Sequence, residues 1–318
     1  MQYRRHVRLG VLDVGSNTVH LLLVDAHYGG APVPASKLKI PLKLAEHMNS
    51  DGSINDGAVQ QLTDFIRESV ALAEDMGATE VMAFATSAIR DATNSESVLA
   101  TVNERTGLSL EILSGEDEAR LTFLAVRRWV GWSAGRVSVF DIGGGSLEIA
   151  IGTDEEPDVG VSLPIGAGRM TRAFISHDPP KPGELKELRK AARVAIAGAA
   201  GRLRRGGPVQ RSFATSKTFK QLARITGAAP SSEGPFVQRV LRLDDLNEWV
   251  PKLAEMSSVQ RAKIPGVSEG RSEQMVAGAI VAQAAMELLE VSELEICPWA
   301  LREGVILRHL DHLDRDTR

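Results

Sequence analysis

Val11-Leu-Asp-Val-Gly-Ser-Asn-Thr-Val-His-Leu-Leu22 and Val139-Phe-Asp-Ile-Gly-Gly-Gly-Ser-Leu-Glu-Ile-Ala150 are two versions of one pattern, in which Asp13 recurs as Asp141 and Gly15 as Gly143. Each copy reads as an apolar strand, a tight glycine-containing turn and a second apolar strand, which is a β-hairpin. A second string follows in both halves: Phe84-Ala-Thr-Ser87 returns as Phe213-Ala-Thr-Ser216. Both strings come after a helix. In the first half Val59, Leu62, Ile66, Ala73 and Met76 keep helical spacing, and Gly77 supplies the stop. In the second half the helix is expected over about 184–204. A third step, Leu110-Glu-Ile-Leu-Ser114, returns as Leu294-Glu-Ile-Cys297 at a wider separation. The second half therefore carries an insertion over about 227–285, which includes an Ala-rich helix at 273–290 short of polar positions. The repeats predict two domains, 1–132 and 133–299, with Gly131-Trp-Ser-Ala-Gly135 as the hinge.

The bulk composition agrees with two soluble domains. The chain has 318 residues, too many for one small core, and its 43% apolar and 25% charged content is that of a globular protein. A net charge of −4 argues against a general nucleic-acid coat but leaves room for a local basic channel. The single cysteine, Cys297, can form neither an internal disulfide nor a cysteine metal cluster. Arg4-Arg5 is not followed by a signal core, and no apolar run approaches a membrane span of about 20 residues. The expectation is a cytosolic protein with no nucleic-acid and no membrane partner.

A tight turn between strands exposes consecutive backbone N–H groups, and glycine there lets a phosphate oxygen approach without a Cβ in the way. Gly143, Gly144, Gly145 and Ser146 form one such turn, and Gly15, Ser16, Asn17 and Thr18 form a version richer in hydroxyl and amide groups. Two related turns, each led by an Asp, are expected to grip neighbouring phosphates from opposite sides of a cleft. Strand alternation lets Asp141 and Glu148 point the same way, as hard oxygen ligands for Mg²⁺ or another divalent cation. The plainer readings are a turn cap for Asp141 and a solvated strand position for Glu148. Ser114 is a helix N-cap with Asp117 three residues on, which sets Glu116, Asp117 and Glu118 in a first turn, where acids are common for dipole reasons alone. That dipole also helps keep a general base ionised. Arg90 follows the Thr-Ser turn, where its guanidinium could hold a phosphate or a surface acid. Lys186, Arg189, Lys190, Arg193, Arg202, Arg204 and Arg205 give a solvated helix face or a polyanion track. His20, the counterpart of Glu148, reads as a strand residue without chemistry, and His6, His27, His47 and His177 are scattered. Phe65, Phe123 and Trp299 read as core.

Asp13-Val-Gly-Ser-Asn-Thr18, Ala85-Thr-Ser-Ala-Ile-Arg90, Ser114-Gly-Glu-Asp-Glu-Ala-Arg120, Asp141-Ile-Gly-Gly-Gly-Ser146 and Trp299-Ala-Leu-Arg-Glu-Gly304 together resemble the exopolyphosphatase/guanosine pentaphosphate phosphohydrolase family, over about 9–307. The resemblance implies an α/β protein of the duplicated actin-like (ribonuclease H-like) ATPase fold, with a cleft between two domains and residues 300–318 packing back on the first. It places the catalytic glutamate on Glu118, which precedes Ala119, and favours Arg90 as a phosphate ligand. It also implies a homodimer that cleaves terminal orthophosphate from inorganic polyphosphate, or alternatively guanosine pentaphosphate, a stringent-response substrate. A non-catalytic sensor of either polyanion is a further alternative. An ATP-using relative, a sugar kinase or chaperone-like ATPase, is disfavoured because the second half lacks an adenosine-binding Gly-Gly motif. Two features set this chain apart. It closes soon after the Trp299–Gly304 segment, as expected of a short, two-domain form. It also reads Ala214-Thr-Ser-Lys217-Thr218 where the family usually has Gly-Thr-Ser-Gly-Thr.

Overall fold

A computed structural model describes residues 7–27 and 29–315; Arg4, Arg5 and His6 lie outside them. The chain divides into two compact units. Unit 1 runs to Asp117 and takes up the chain again from Leu301; unit 2 is Glu118–Ala300.

Unit 1 is built on β1 (Val7–Val14), β2 (Val19–Ala26), β3 (Val33–Ile40), β4 (Glu80–Ala85) and β5 (Glu111–Ile112), in the order β3-β2-β1-β4-β5. The hairpin strands β1 and β2 are almost continuously apolar, and Leu12, Val14, Leu21 and Leu23 are fully buried, as expected when both faces of a sheet are covered. Strand β3 lies at the edge; it is mostly exposed and carries Lys37 and Lys39, which discourages further strand pairing. Helix α1 (Asp56–Asp75) is capped by the Asn55 side chain, which accepts from Ala58 N at 2.9 Å. It buries Leu62, Phe65 and Ile66, and Gly77, at φ 72°, turns the chain into β4 in a conformation that costs glycine little. The short α2 (Ser87–Arg90) and then α3 (Ser95–Thr106), which packs on α1, connect β4 to its parallel neighbour β5.

Unit 2 begins within α4 (Gly115–Val130). It continues through β6 (Val137–Ile142), β7 (Leu147–Gly152), β8 (Val159–Leu163), α5 (Ala167–Phe174), α6 (Pro182–Leu203), β9 (Arg211–Ala214) and α7 (Lys217–Ile225). Then come β10 (Val240–Arg242), α8 (Leu243–Glu255), α9 (Ser258–Arg261), α10 (Met275–Leu288) and β11 (Glu293–Ile296). The sheet order is β10-β11-β9-β6-β7-β8. With β10 set aside, β8-β7-β6-β9-β11 repeats the order of unit 1 strand for strand. Strand β10 and helices α8 and α9 belong to the insertion, with α10 at its end. Helix α10 is buried along most of its length because α5, α6, α7 and α8 all pack on it, and only Gln283 and Glu287 interrupt its apolar surface. Gly278 permits the close approach of α7, since a Cβ there would lie 2.7 Å from Thr218 Cγ2.

The last helix, α11 (Leu301–Arg315), packs on β1 of unit 1. Its alignment with α4 is fixed by two observations. Leu113 N donates to Ala85 O as Cys297 N donates to Ala214 O, both at the exit of the last parallel strand. Thr122, Phe123 and Val126 are then buried in α4 where Ile306, Leu307 and Leu310 are buried in α11.

The two Phe-Ala-Thr-Ser strings are not equivalent in register. Asp13 lies beside Phe84, whereas Phe140, one residue before Asp141, lies beside Ala214. Relative to its hairpin, the second string is displaced by two residues, one full pleat, so the same side chains face the same way but meet different neighbours.

Candidate active site

In the second turn, Gly143 N donates to Ser146 O at 2.9 Å and closes the loop. The carbonyls are gathered by the start of α5. Ala167 N donates to Gly143 O at 3.0 Å, Arg169 N to Gly144 O at 2.8 Å, and Arg169 Nε to Gly145 O at 2.9 Å. With three carbonyls held on one side, the amides of Gly144, Gly145 and Ser146 are the groups with which the turn can meet an anion. Gly166 makes this packing possible: a Cβ there would stand 2.6 Å from Gly145 N and closer still to Ser146 N. The first turn uses the same device with other residues. Gly15 N donates to Thr18 O at 3.1 Å, Lys43 N to Asn17 O at 3.1 Å, and Ala45 N to Ser16 O at 3.5 Å. Ser16 Oγ and Ser87 Oγ, 2.9 Å apart and buried, tie this turn to α2. At the end of α2, Arg90 Nη1 donates to Leu113 O at 2.7 Å and Nε lies 3.5 Å from Asp91 Oδ1.

Below the second turn a row of polar side chains crosses unit 2. Asp141 on β6 is registered opposite Glu148 on β7, and Glu148 opposite Ser162 on β8. Ser162 Oγ donates to Glu148 Oε1 at 2.7 Å. On the other side the Thr215 hydroxyl donates to Asp141 Oδ2, a contact that the displaced register of β9 creates. The Ser216 amide also donates to Asp141, from a residue at φ 53° and ψ 162°, a conformation that glycine alone adopts readily. Lys220 and Arg271 add positive charge at Asp141, and Glu118 adds negative charge at Glu148.

Glu118 is 7% and Glu148 5% exposed, so water does little to screen them. Burial, and then the carboxylates of Glu118 and Asp141, push the Glu148 carboxyl well above the ordinary range; hydrogen bonds from Ser146 and Ser162 oppose this. Burial also raises the Asp141 carboxyl, against the Thr215 hydroxyl, Lys220, Arg271 and the Ser216 amide. At α4, Ser114 Oγ accepts from Asp117 N at 3.1 Å and lies 2.6 Å from Asp117 Oδ2, so Ser114 caps the helix and engages Asp117. Glu118 faces inward from the same turn.

Unit 2 thus brings Glu118, Asp141, Glu148 and the Gly143–Ser146 turn together, whereas Gly15, Ser16, Asn17, Thr18 and Arg90 belong to unit 1. Ser162, Thr215, Lys220 and Arg271 were not singled out from the sequence. Only Thr215 carried a signal, its place in the repeated string; Arg271 comes from the insertion and Ser162 from an unmarked edge strand. Among the described residues no three His, Cys, Asp or Glu side chains form a ready metal cage. Mg²⁺ needs less, because it keeps waters and substrate oxygens and takes one or two carboxylates from the protein. Mutually repelling oxygens at the partly buried Asp141 and the buried Glu148 fit that requirement.

Comparison with known proteins identifies a family. The model of the Ppx/GppA phosphatase family matches residues 23–313. The chain is 53% identical to Exopolyphosphatase 1 of Mycobacterium tuberculosis over 96% of its own length and 89% of the relative's. It is 50% identical to Exopolyphosphatase 1 of Mycobacterium leprae, over 96% and 90%. Among solved structures, a Ppx/GppA family member from Aquifex aeolicus superposes with a TM-score of 0.81 at 25% identity, covering 98% of this chain and 99% of that one. An exopolyphosphatase from Cytophaga hutchinsonii gives 0.86 at 24%, over 96% and 98%, and bears on the fold alone. The fold is of the actin-like ATPase type.

Proposed function

The chain belongs to the Ppx/GppA phosphatase family, and we propose that it is an exopolyphosphatase that releases terminal orthophosphate from inorganic polyphosphate. The observation that carries this reading is the row of the partly buried Asp141 and the buried Glu148 with Glu118 against it, next to a turn whose Gly143, Gly144 and Gly145 carbonyls are held on the side of α5. Acids grouped with two of them buried are costly unless positive charge comes to them, and a condensed phosphate arrives with divalent cations.

Glu118 takes the proton of a water whose oxygen attacks the terminal phosphorus. The bridging P–O bond breaks, and the shortened chain leaves with the bridging oxygen while orthophosphate forms. Asp141 and Glu148 would hold the divalent cation, which would supply positive charge to offset that of the phosphates. The turn amides of Gly143–Ser146 and of Gly15–Thr18 bind phosphate oxygens, and Arg90 supports them. Arg271 and Lys220 keep Asp141 from being an unbalanced negative charge near the substrate. The resemblance also supports a cytosolic homodimer, which sedimentation of the purified protein would test.

The test is orthophosphate release from tripolyphosphate, long polyphosphate and guanosine pentaphosphate, each with Mg²⁺ and with excess chelator. The reading expects release from polyphosphate with Mg²⁺ and none with chelator. Release from guanosine pentaphosphate alone would replace the substrate, and tight polyphosphate binding without turnover would make the protein a sensor.

A further inference from the structure

The acid constellation of unit 2 has a counterpart in unit 1, in which one acid is kept and a histidine and an arginine take the places of the other two. The hairpins align Asp13 with Asp141 and His20 with Glu148, and each pair is directly opposed across its strands. The alignment of α11 on α4, fixed by the Leu113 and Cys297 amides and by the matched buried positions, sets Arg302 where α4 has Glu118. The partners differ between the halves: Glu118 acts on Glu148 in unit 2, whereas in unit 1 Arg302 Nη1 lies 4.0 Å from Asp13 Oδ2, the counterpart of Asp141.

Three acids suit a cation; an arginine, a histidine and one acid do not. The Arg302–Asp13 contact is long, with both side chains partly exposed (28% and 23%), so Asp13 steers the guanidinium without occupying its fork of donors. His20 Nε2 is buried without a hydrogen-bond partner among the described residues, and a buried polar atom left so needs a reason. Beside this trio lies the Gly15–Thr18 turn, with the Ser16 and Asn17 carbonyls drawn off by Ala45 and Lys43.

The geometry points to an oxyanion site in unit 1, in which Arg302, aided by His20, holds a phosphoryl group of the substrate beside the Gly15–Thr18 turn. It rests on the polyphosphatase reading and deepens it. The duplicated fold uses one set of positions twice, once for the cation and water and once for the anionic chain. Arg302 is then a specificity-determining residue for condensed phosphate.

Binding of tripolyphosphate with Mg²⁺, measured by calorimetry in an E118Q background so that no turnover intervenes, tests it. R302M should weaken binding about 10- to 100-fold, the range of a lost charge-assisted phosphate contact, R302K should recover part of it, and H20Q should weaken it by a smaller factor. The doubly neutral D13N/R302M separates this role from a structural one. If Arg302 only balances Asp13, that variant binds like the parent; if Arg302 holds phosphate, it stays weak. Parent-like binding by R302M overturns the site and leaves the enzyme reading standing, whereas an E118Q protein that binds no tripolyphosphate overturns both. Should R302M not fold, R302K and D13N/R302M still give the answer.

Discussion

Asp141 and Glu148 stand directly opposite one another across the β6–β7 pair, and the equivalent register in unit 1 opposes Asp13 to His20. Directly opposed residues on a sheet have Cβ atoms about 5 Å apart, so two carboxylates there repel strongly once buried. Unit 2 keeps that repulsion, and Glu118 adds to it. A fold built twice thus keeps the aspartate in both halves and differs across the hairpin, with a glutamate in one half and a histidine in the other.

The cost of that arrangement is visible in pH. Folded Glu148 holds its proton to higher pH than the unfolded chain, whose glutamate titrates near 4.5. The folded state therefore binds more protons than the unfolded state across that window, and stability falls as pH rises from 4.5 through the raised folded value. E148Q removes this loss. In chelator, its thermal midpoint should lie above the parent's at pH 8 and converge with it below about pH 4. Mg²⁺ should raise the parent's midpoint more than that of E148Q. Parallel pH profiles of the two midpoints would contradict the burial argument.

Glu118 is assigned the proton from water, and E118Q keeps its shape while removing its basicity. Phosphate release from polyphosphate should fall by about 10²- to 10⁴-fold, the usual contribution of a general base, with binding of tripolyphosphate retained. Rapid-quench measurement of the first turnover checks that the chemical step has slowed. Because the change relieves charge on Glu148, the thermal midpoint should not fall.

Much of this site was legible in the residues because its parts are local. A hairpin needs an alternating apolar run and a turn, and Asp13–Thr18 and Asp141–Ser146 carry both within a few positions. Helix α1 could be read from its spacing and its Gly77 stop, and α10 from its mostly small and apolar positions. What could not be read is register and long-range approach. The two Phe-Ala-Thr-Ser strings are identical in letters, yet packing displaces one by a pleat, which sets Thr215 rather than an apolar residue beside Asp141. Arg271 reaches the same carboxylate from the insertion, some 130 positions along the chain, and no local pattern announces it.

Thr215 gives the displaced register a measurable consequence. Its hydroxyl donates to Asp141 and lowers that carboxyl against burial, which raises it. T215V keeps the shape and removes the donor, so the Asp141 carboxyl rises further. Activity that needs the ionised form should then lose its acid limb first, with the pH–rate profile moving to higher pH and release at pH 6 falling by about 10-fold or more, as expected for a hydrogen bond to a charged group worth about 1.5–3 kcal/mol. T215S, which restores the hydroxyl, should bring the profile back. An unmoved acid limb in T215V would mean that Asp141 is not the group being titrated.

Gly166 tests whether the start of α5 shapes the second turn. The amides of Ala167 and Arg169 hold the Gly143 and Gly144 carbonyls, and Arg169 Nε holds that of Gly145. A methyl group on residue 166 would fall 2.6 Å from Gly145 N, against backbone that has no side chain to swing aside. G166A must therefore push α5 and the turn apart, at a cost of about 1–3 kcal/mol in stability. The damage should extend to function, because carbonyls released from α5 can rotate toward the anion and the amides away from it. KM for tripolyphosphate should rise by about 10-fold or more, whereas G183A, where a Cβ meets nothing within 4 Å, should leave both stability and KM near those of the parent. Steady-state kinetics with a melting curve for each variant reads both effects. A G166A protein that melts early but keeps its KM would show that α5 supports the unit without shaping the phosphate turn.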